Sequence, residues 1–128
     1  MSMKKALTAA TVAASTLFGG AALAEPAYLI ATISVTDWDA YMNNYSSVAV
    51  PAILGAGGEI LVGDTEPMIV EGSYDHNWTV VVRFPSEEAA VGFYSSPEYQ
   101  AVIPFRHAAS NVDASVLLLA AQFVPPSE

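Results

Sequence analysis

Trp78-Thr79-Val80-Val81-Val82-Arg83-Phe84-Pro85-Ser86-Glu87-Glu88 holds a strand, its stop and the start of a helix. β-Branched and aromatic residues crowd Trp78 to Phe84, the composition of a strand inside a sheet. Pro85 ends that strand, because proline cannot donate to a ladder. Ser86 supplies the hydroxyl of a helix N-cap, and Glu87 and Glu88 put negative charge where the helix dipole favours it. Successive strand residues point to opposite faces, so three valines in a row make both faces of this strand apolar.

On the C-terminal side, Ser95-Ser96-Pro97 interrupts the helix that Ser86 opens. Pro97 suits the first position of a further helix, where its missing N–H costs nothing. That helix runs toward Asn111, with a kink expected at Pro104. Ala114 to Ala121 reads as the last strand, and Leu117-Leu118-Leu119 is again apolar at both parities. On the N-terminal side lies a polar loop, Gly72 to Asn77. Before it, Glu59 to Val62 and Met68 to Glu71 are short strand candidates, divided by a turn at Gly63-Asp64-Thr65-Glu66-Pro67. Tyr28 to Val35 reads as the first strand. Thr36 has the position of an N-cap, with Asp39 three residues on. The helix it opens extends to about Leu54, with Trp38, Tyr41, Tyr45, Val48 and Ala52 at helical spacing. Pro51 is expected to bend or shorten it, and Gly55, Gly57 and Gly58 to stop it.

The order is β-α-β-β-α-β, with the second helix broken in two. This predicts an α+β domain with a ferredoxin-like antiparallel sheet and helices on one face. The other face would normally be polar. Leu29-Ile30-Ala31, Val80-Val81-Val82 and Leu117-Leu118-Leu119 leave it apolar instead, so it needs cover. A second copy placed sheet against sheet gives that cover, and a homodimer is expected.

The start of the chain carries a different signal. Lys4 and Lys5 precede an apolar, small-residue stretch from Ala6 to Ala24, which closes on Ala22-Leu23-Ala24 before Glu25-Pro26. A basic start, an apolar middle and an A-x-A-like exit describe a secretory signal peptide. A membrane anchor fits less well, because the stretch is barely long enough to span and is rich in Ala, Thr and Gly. The expected division is a signal peptide over residues 1–24 and one domain over 25–128. Export to the periplasm of a Gram-negative bacterium, or secretion, is expected, with no membrane attachment after cleavage. Cleavage leaves Arg83 and Arg106 against all 13 acidic residues, a net charge of −11. Such a surface repels nucleic acid and anionic lipid. The chain has no Cys, so thiol catalysis and Cys-based zinc sites are excluded.

The ordered series Tyr28-Leu29-Ile30, Val35-Thr36-Asp37, Ala40-Tyr41, Gly57-Gly58, Val70-Glu71-Gly72 and Phe84-Pro85-Ser86 resembles the domain of unknown function 1330 family. Tyr94 through Ser95-Ser96-Pro97-Glu98-Tyr99-Gln100, then Ile103-Pro104 and Arg106, carry the resemblance furthest. It covers roughly Ala27 to Leu119. It implies a ferredoxin-like fold, a homodimer and a place in the dimeric α+β barrel superfamily; it implies no agreed activity and no established catalytic residues. The chain departs from the family pattern in its signal peptide, in Arg83 and in His107.

No residue is identified as catalytic. Arg106 shares a helix face with Tyr99, Val102, Ile103 and Ala109, which points a guanidinium into apolar surroundings. A charge there needs a partner. Glu71 is one candidate, and a ligand carboxylate bound by the two-pronged guanidinium is the other. Arg83 alternates with Thr79 and Val81, and could line a cavity or lie exposed at an interface. His107 adjoins Arg106, and His76 sits beside Asp75; both are expected at the surface. Tyr41, Tyr45, Tyr94 and Tyr99 are expected in the core with their hydroxyls reaching outward. The tentative ligand-binding set is Arg106, Arg83, Tyr41, Tyr99, Glu71 and His107. There is no glycine-rich phosphate loop after a strand, no nucleophile elbow and no heme-attachment motif, and no metal or cofactor is expected. Two functions stay open: a cofactor-free binder or enzyme for a small, partly apolar molecule, and a non-catalytic structural or interaction protein.

Overall fold

The computed structural model describes residues 24–126. The expected signal peptide lies outside the described residues except for Ala24. Four strands form one sheet: β1 (Ala27–Ile33), β2 (Glu59–Asp64), β3 (Trp78–Phe84) and β4 (Val116–Ala121). They are ordered β2-β3-β1-β4, and every neighbouring pair is antiparallel.

Between β1 and β2 runs one helix, α1. It comprises Trp38–Ala40, a π-helical segment Tyr41–Ser46, and Ser47–Gly55. Its cap is Asp37 rather than Thr36: the Asp37 carboxylate accepts from Ala40 N at 3.1 Å. The reason is tertiary. The Thr36 and Asp37 amides both donate to the Ala109 carbonyl, at 2.9 and 3.2 Å, which ties this corner to the far end of the last helix. Pro51 does not shorten α1, which continues to Gly55. Gly57 ends the connection at φ 86°, a conformation only glycine adopts without strain. The wide turns of the π segment, a form frequent at functional sites, bury both Tyr41 and Tyr45.

After β3 come α2 (Glu87–Ser95) and α3 (Pro97–Ala108). Their caps are local. Ser86 Oγ accepts from Ala89 N at 3.0 Å, and Ser96 Oγ accepts from Tyr99 N at 3.2 Å with Pro97 at the first helical position. Pro104 sits inside α3 without ending it.

Residues 68–71 form no strand. They lie exposed in the β2–β3 connection and have no ladder partner among the described residues.

Ladder register sorts the two faces. Ala27, Ala31 and Ile33 of β1 lie with Val82 and Phe84 of β3 under the helices, where they form the core with Tyr41, Tyr45, Phe93 and Tyr99. The opposite, open face is built in cross-strand rows. Val62, Val81, Ile30 and Leu118 stand side by side across all four strands. Glu59, Arg83, Tyr28 and Ala120 flank them on one side, and Asp64, Thr79, Thr32 and Val116 on the other. No helix among the described residues covers this face, and Leu118 is 53% exposed.

Candidate functional site

Tyr41 and Tyr45, four residues apart in the π segment, project toward α3 with ring centroids 5.0 Å apart. From α3, Tyr99 meets them. Its hydroxyl and that of Tyr45 share a hydrogen bond of 2.7 Å, and the two rings sit edge to face at 5.9 Å. Arg106, two turns further along α3, lays its guanidinium 5.7 Å from the centre of the Tyr45 ring. Arg106 is only 6% exposed, and its Nε is buried without a hydrogen-bond partner.

Among the described residues no carboxylate answers this charge. Among the described residues the ion pair present is Arg83 with Glu59, at 2.6 Å on the open face. Glu71, the acid expected beside Arg106, is instead exposed in the β2–β3 connection, so the expected Arg106–Glu71 pair does not form. Burial works against the charged guanidinium, yet Tyr99, Tyr45 and Tyr41 outweigh it and hold Arg106 above the ordinary arginine value. Burial pushes Tyr41 up to about 12, against the pull of Arg106. Burial, then Tyr99, raises Tyr45 further still. At neutral pH Tyr41 and Tyr45 therefore stand as neutral phenols beside the Arg106 cation.

Tyr41 and Tyr45 also form one wall of a cavity of about 90 Å³ between α1 and the sheet. Leu29, Ile33, Trp78 and Val80 line its floor, and Ser46, Val50 and Ile60 stand at its mouth. Of the six residues expected to bind a ligand, the fold brings Arg106, Tyr41 and Tyr99 together. Arg83 and Glu71 are exposed elsewhere, and His107 is exposed on α3. Glu59 raises the Arg83 pKa, first by hydrogen bond and then by charge. His76 packs edge-on against Tyr74, with ring centroids 4.8 Å apart, away from the cluster. Tyr45 and Trp78 were not in the expected set. The four-residue spacing of Tyr41 and Tyr45 was the available sign that they share a face. No group of three or more His, Asp or Glu is placed to hold a metal among the described residues. No helix among them is long and apolar enough to cross a membrane.

The buried phenols set an alkaline limit. An unfolded tyrosine loses its proton near pH 10, whereas Tyr41 holds its proton to about 12 and Tyr45 holds its own longer. Above pH 10 the folded state therefore binds more protons than the unfolded one, and stability falls as pH rises. Each phenol contributes about 1.4 kcal/mol per pH unit to that fall. Urea midpoints measured from pH 9 to 11.5 should drop steeply above 10, and less steeply in Tyr45→Phe. A flat profile would show that the phenols are solvated.

The β2-β3-β1-β4 antiparallel sheet with its helices on one face defines a ferredoxin-like domain. The profile described as "Domain of unknown function (DUF1330)" matches residues 26–119, and the chain belongs to that family. No curated protein matches the chain. Among solved structures, it is similar to RPA0582, a protein of unknown function from Rhodopseudomonas palustris. The TM-score is 0.66 at 18% identity, over 86% of this chain and 94% of that one. It is also similar to a dimeric ferredoxin-like protein of unknown function from Jannaschia sp. CCS1, with TM-score 0.55 at 13% identity over 73% and 96%. A third likeness is to SnoaB, a cofactor-independent oxygenase from Streptomyces nogalater, with TM-score 0.54 at 11% identity over 82% and 97%.

Proposed function

We propose that the mature protein, residues 25–128, is an exported homodimer that binds a small molecule with an anionic group and a short apolar body. The observation that carries this reading is Arg106: a buried guanidinium with no carboxylate partner and an unpartnered Nε. An isolated buried charge is costly, and a planar two-pronged donor suits a carboxylate. Tyr41 and Tyr45 link that charge to the apolar cavity. A cavity of about 150 Å³ accepts a benzene ring. One of about 90 Å³ suits a shorter aliphatic chain.

Export is supported by Lys4, Lys5 and the Ala22-Leu23-Ala24 exit. The homodimer is supported by the uncovered apolar row on the sheet and by the Jannaschia protein, which is described as dimeric. SnoaB makes cofactor-free conversion worth weighing, but the cluster in this chain offers recognition more readily than proton transfer. It contains a cation and phenols of raised pKa, with neither carboxylate nor imidazole. Binding is therefore favoured over catalysis.

The test uses protein from the periplasmic fraction, whose mass should place Glu25 first. It is titrated with straight-chain carboxylates of three to six carbons and with the matching alcohols, and indole fluorescence is followed because Trp78 lines the cavity. Carboxylates should bind at least ten-fold more tightly than alcohols, and Arg106→Met should abolish the difference. Equal binding of acids and alcohols, or none, would sink the proposal.

A further inference from the structure

Resting on the binding reading above, we propose that Ser47 is a positioning residue of the site: its hydroxyl holds the π turn that keeps Tyr41 and Tyr45 together beside Arg106. In an α-helix the Ser47 amide would donate to the Asn43 carbonyl, four residues back. Here it donates instead to the Met42 carbonyl, five residues back, and to that of Tyr45. The Ser47 hydroxyl takes the place its amide has left and donates to Asn43 O at 2.7 Å. Serine is fitted to this exchange, because its short side chain reaches the carbonyl one turn back and offers the backbone an alternative to the helical bond. The following turn is one bond short as well. Pro51, four residues on, has no N–H to give the Ser47 carbonyl. Backbone bonding around Ser47 is thin, so one side-chain hydrogen bond weighs on the choice between π and α geometry.

The π turn decides which side chains share a face. Tyr41, Tyr45, Ala49 and Ile53 follow one another every four residues, and all four are buried. In an α-helix each such step overshoots a full turn by about 40°, which would set Tyr41 about 80° round the helix from Ala49. The wide turns of Tyr41–Ser46 take up drift of this kind. Both phenols thereby reach the site. Tyr45 shares a hydrogen bond with Tyr99 and lies under the Arg106 guanidinium, and Tyr41 stands with Trp78 in the cavity wall. Both ends of α1 are held. The Thr36 and Asp37 amides are tied to the Ala109 carbonyl, and Ala49 and Ile53 are fixed in the core. A return to α geometry has to be absorbed between them, where Tyr41 and Tyr45 lie. Ser47 itself is exposed and lines no part of the cavity, so it acts through the turn.

The test compares Ser47→Ala with Ser47→Thr in the mature protein. Threonine keeps a hydroxyl that reaches the carbonyl one turn back. Alanine lacks it, yet is the better helix former. Ser47→Ala should keep its far-ultraviolet helical signal and a melting midpoint no lower than that of the wild type. Its near-ultraviolet circular dichroism, set by the packing of Tyr41, Tyr45 and Trp78, should change, and its preference for carboxylates over alcohols should be lost. Ser47→Thr should restore both. An alanine variant that keeps either its near-ultraviolet band or its carboxylate preference would overturn the proposal and leave the binding reading standing. A threonine variant that behaves like alanine would overturn it too. So would an alanine variant that melts lower, since Ser47 would then serve stability alone. A wild type with no carboxylate preference would instead sink the binding reading, and with it the part of Ser47 in recognition.

Discussion

Val81→Asp should convert the mature protein from a dimer to a monomer in light scattering at micromolar concentration, with its helical circular dichroism retained. Val81 lies at the centre of the open face, beside Val62 on one side and Ile30 and Leu118 on the other. Its neighbours toward both ends of the sheet are more polar, with Glu59 and Arg83 in one row and Asp64 and Thr79 in the other. A second copy laid on this face buries the apolar row and leaves the polar rows at the rim. Each large aliphatic side chain taken fully out of water contributes about 1.5–3 kcal/mol. Ile30 and Val81 are already half-buried and Val62 and Leu118 are 40% and 53% exposed, so each adds part of that, and the row, counted twice in a two-fold interface, offsets association costs of about 4–15 kcal/mol. The substitution replaces one such side chain with a carboxylate and does so in both copies. An unpaired charge sealed between two sheets costs several kcal/mol, so dimerisation should weaken at least a thousand-fold. Val81 touches none of the helix-side core, so the monomer should stay folded. A wild type that scatters as a monomer, or a Val81→Asp variant that remains dimeric, would refute the sheet-to-sheet arrangement.

The two apolar faces were legible in the chain because strand parity is local: Val80-Val81-Val82 and Leu117-Leu118-Leu119 must show apolar groups on both sides whatever surrounds them. The starts of α2 and α3 were legible for the same reason. The Ser86 and Ser96 hydroxyl oxygens accept from the amides of Ala89 and Tyr99, three residues on within the same turn. The burial of Arg106 followed from its spacing to Tyr99, Val102 and Ile103 along one helix. What could not be read was what lies opposite it. Tyr45 comes from α1, and Glu71 lies exposed in the β2–β3 connection. Asp37 takes the capping role from Thr36 through a contact with Ala109, and Met68 to Glu71 lies exposed without a ladder partner among the described residues. Each of these outcomes depends on a long-range contact that composition does not encode.

Arg106→Met should raise the stability of the mature protein by about 1–2 kcal/mol, while Arg106→Ala should lower it. Opposite signs follow from separating the stem of the side chain from its charge. The side chain is buried on α3, one turn from Val102 and two from Tyr99. Truncation to alanine removes that packing and leaves a cavity, which costs about 2 kcal/mol or more for a buried long side chain. Methionine restores most of the volume and is flexible enough to fill what remains. The guanidinium has a different balance. Its position over the Tyr45 ring returns about 0.5–2 kcal/mol. Against this stand the desolvation of a full charge with no carboxylate partner and a buried Nε with no acceptor. Replacing buried ionic groups by apolar ones of similar size is often neutral or stabilising by about 1–4 kcal/mol. For a domain of this length, each 1 kcal/mol moves the melting midpoint by about 4–8 °C, so calorimetry resolves both variants from the wild type. Both should lose the preference for carboxylates over alcohols. A gain in stability joined to a loss of binding is the signature of a residue kept for its ligand at a cost to the fold. If Arg106→Met instead melts as low as Arg106→Ala, the guanidinium holds α1 to α3, and the anion it was assigned has no place in the site.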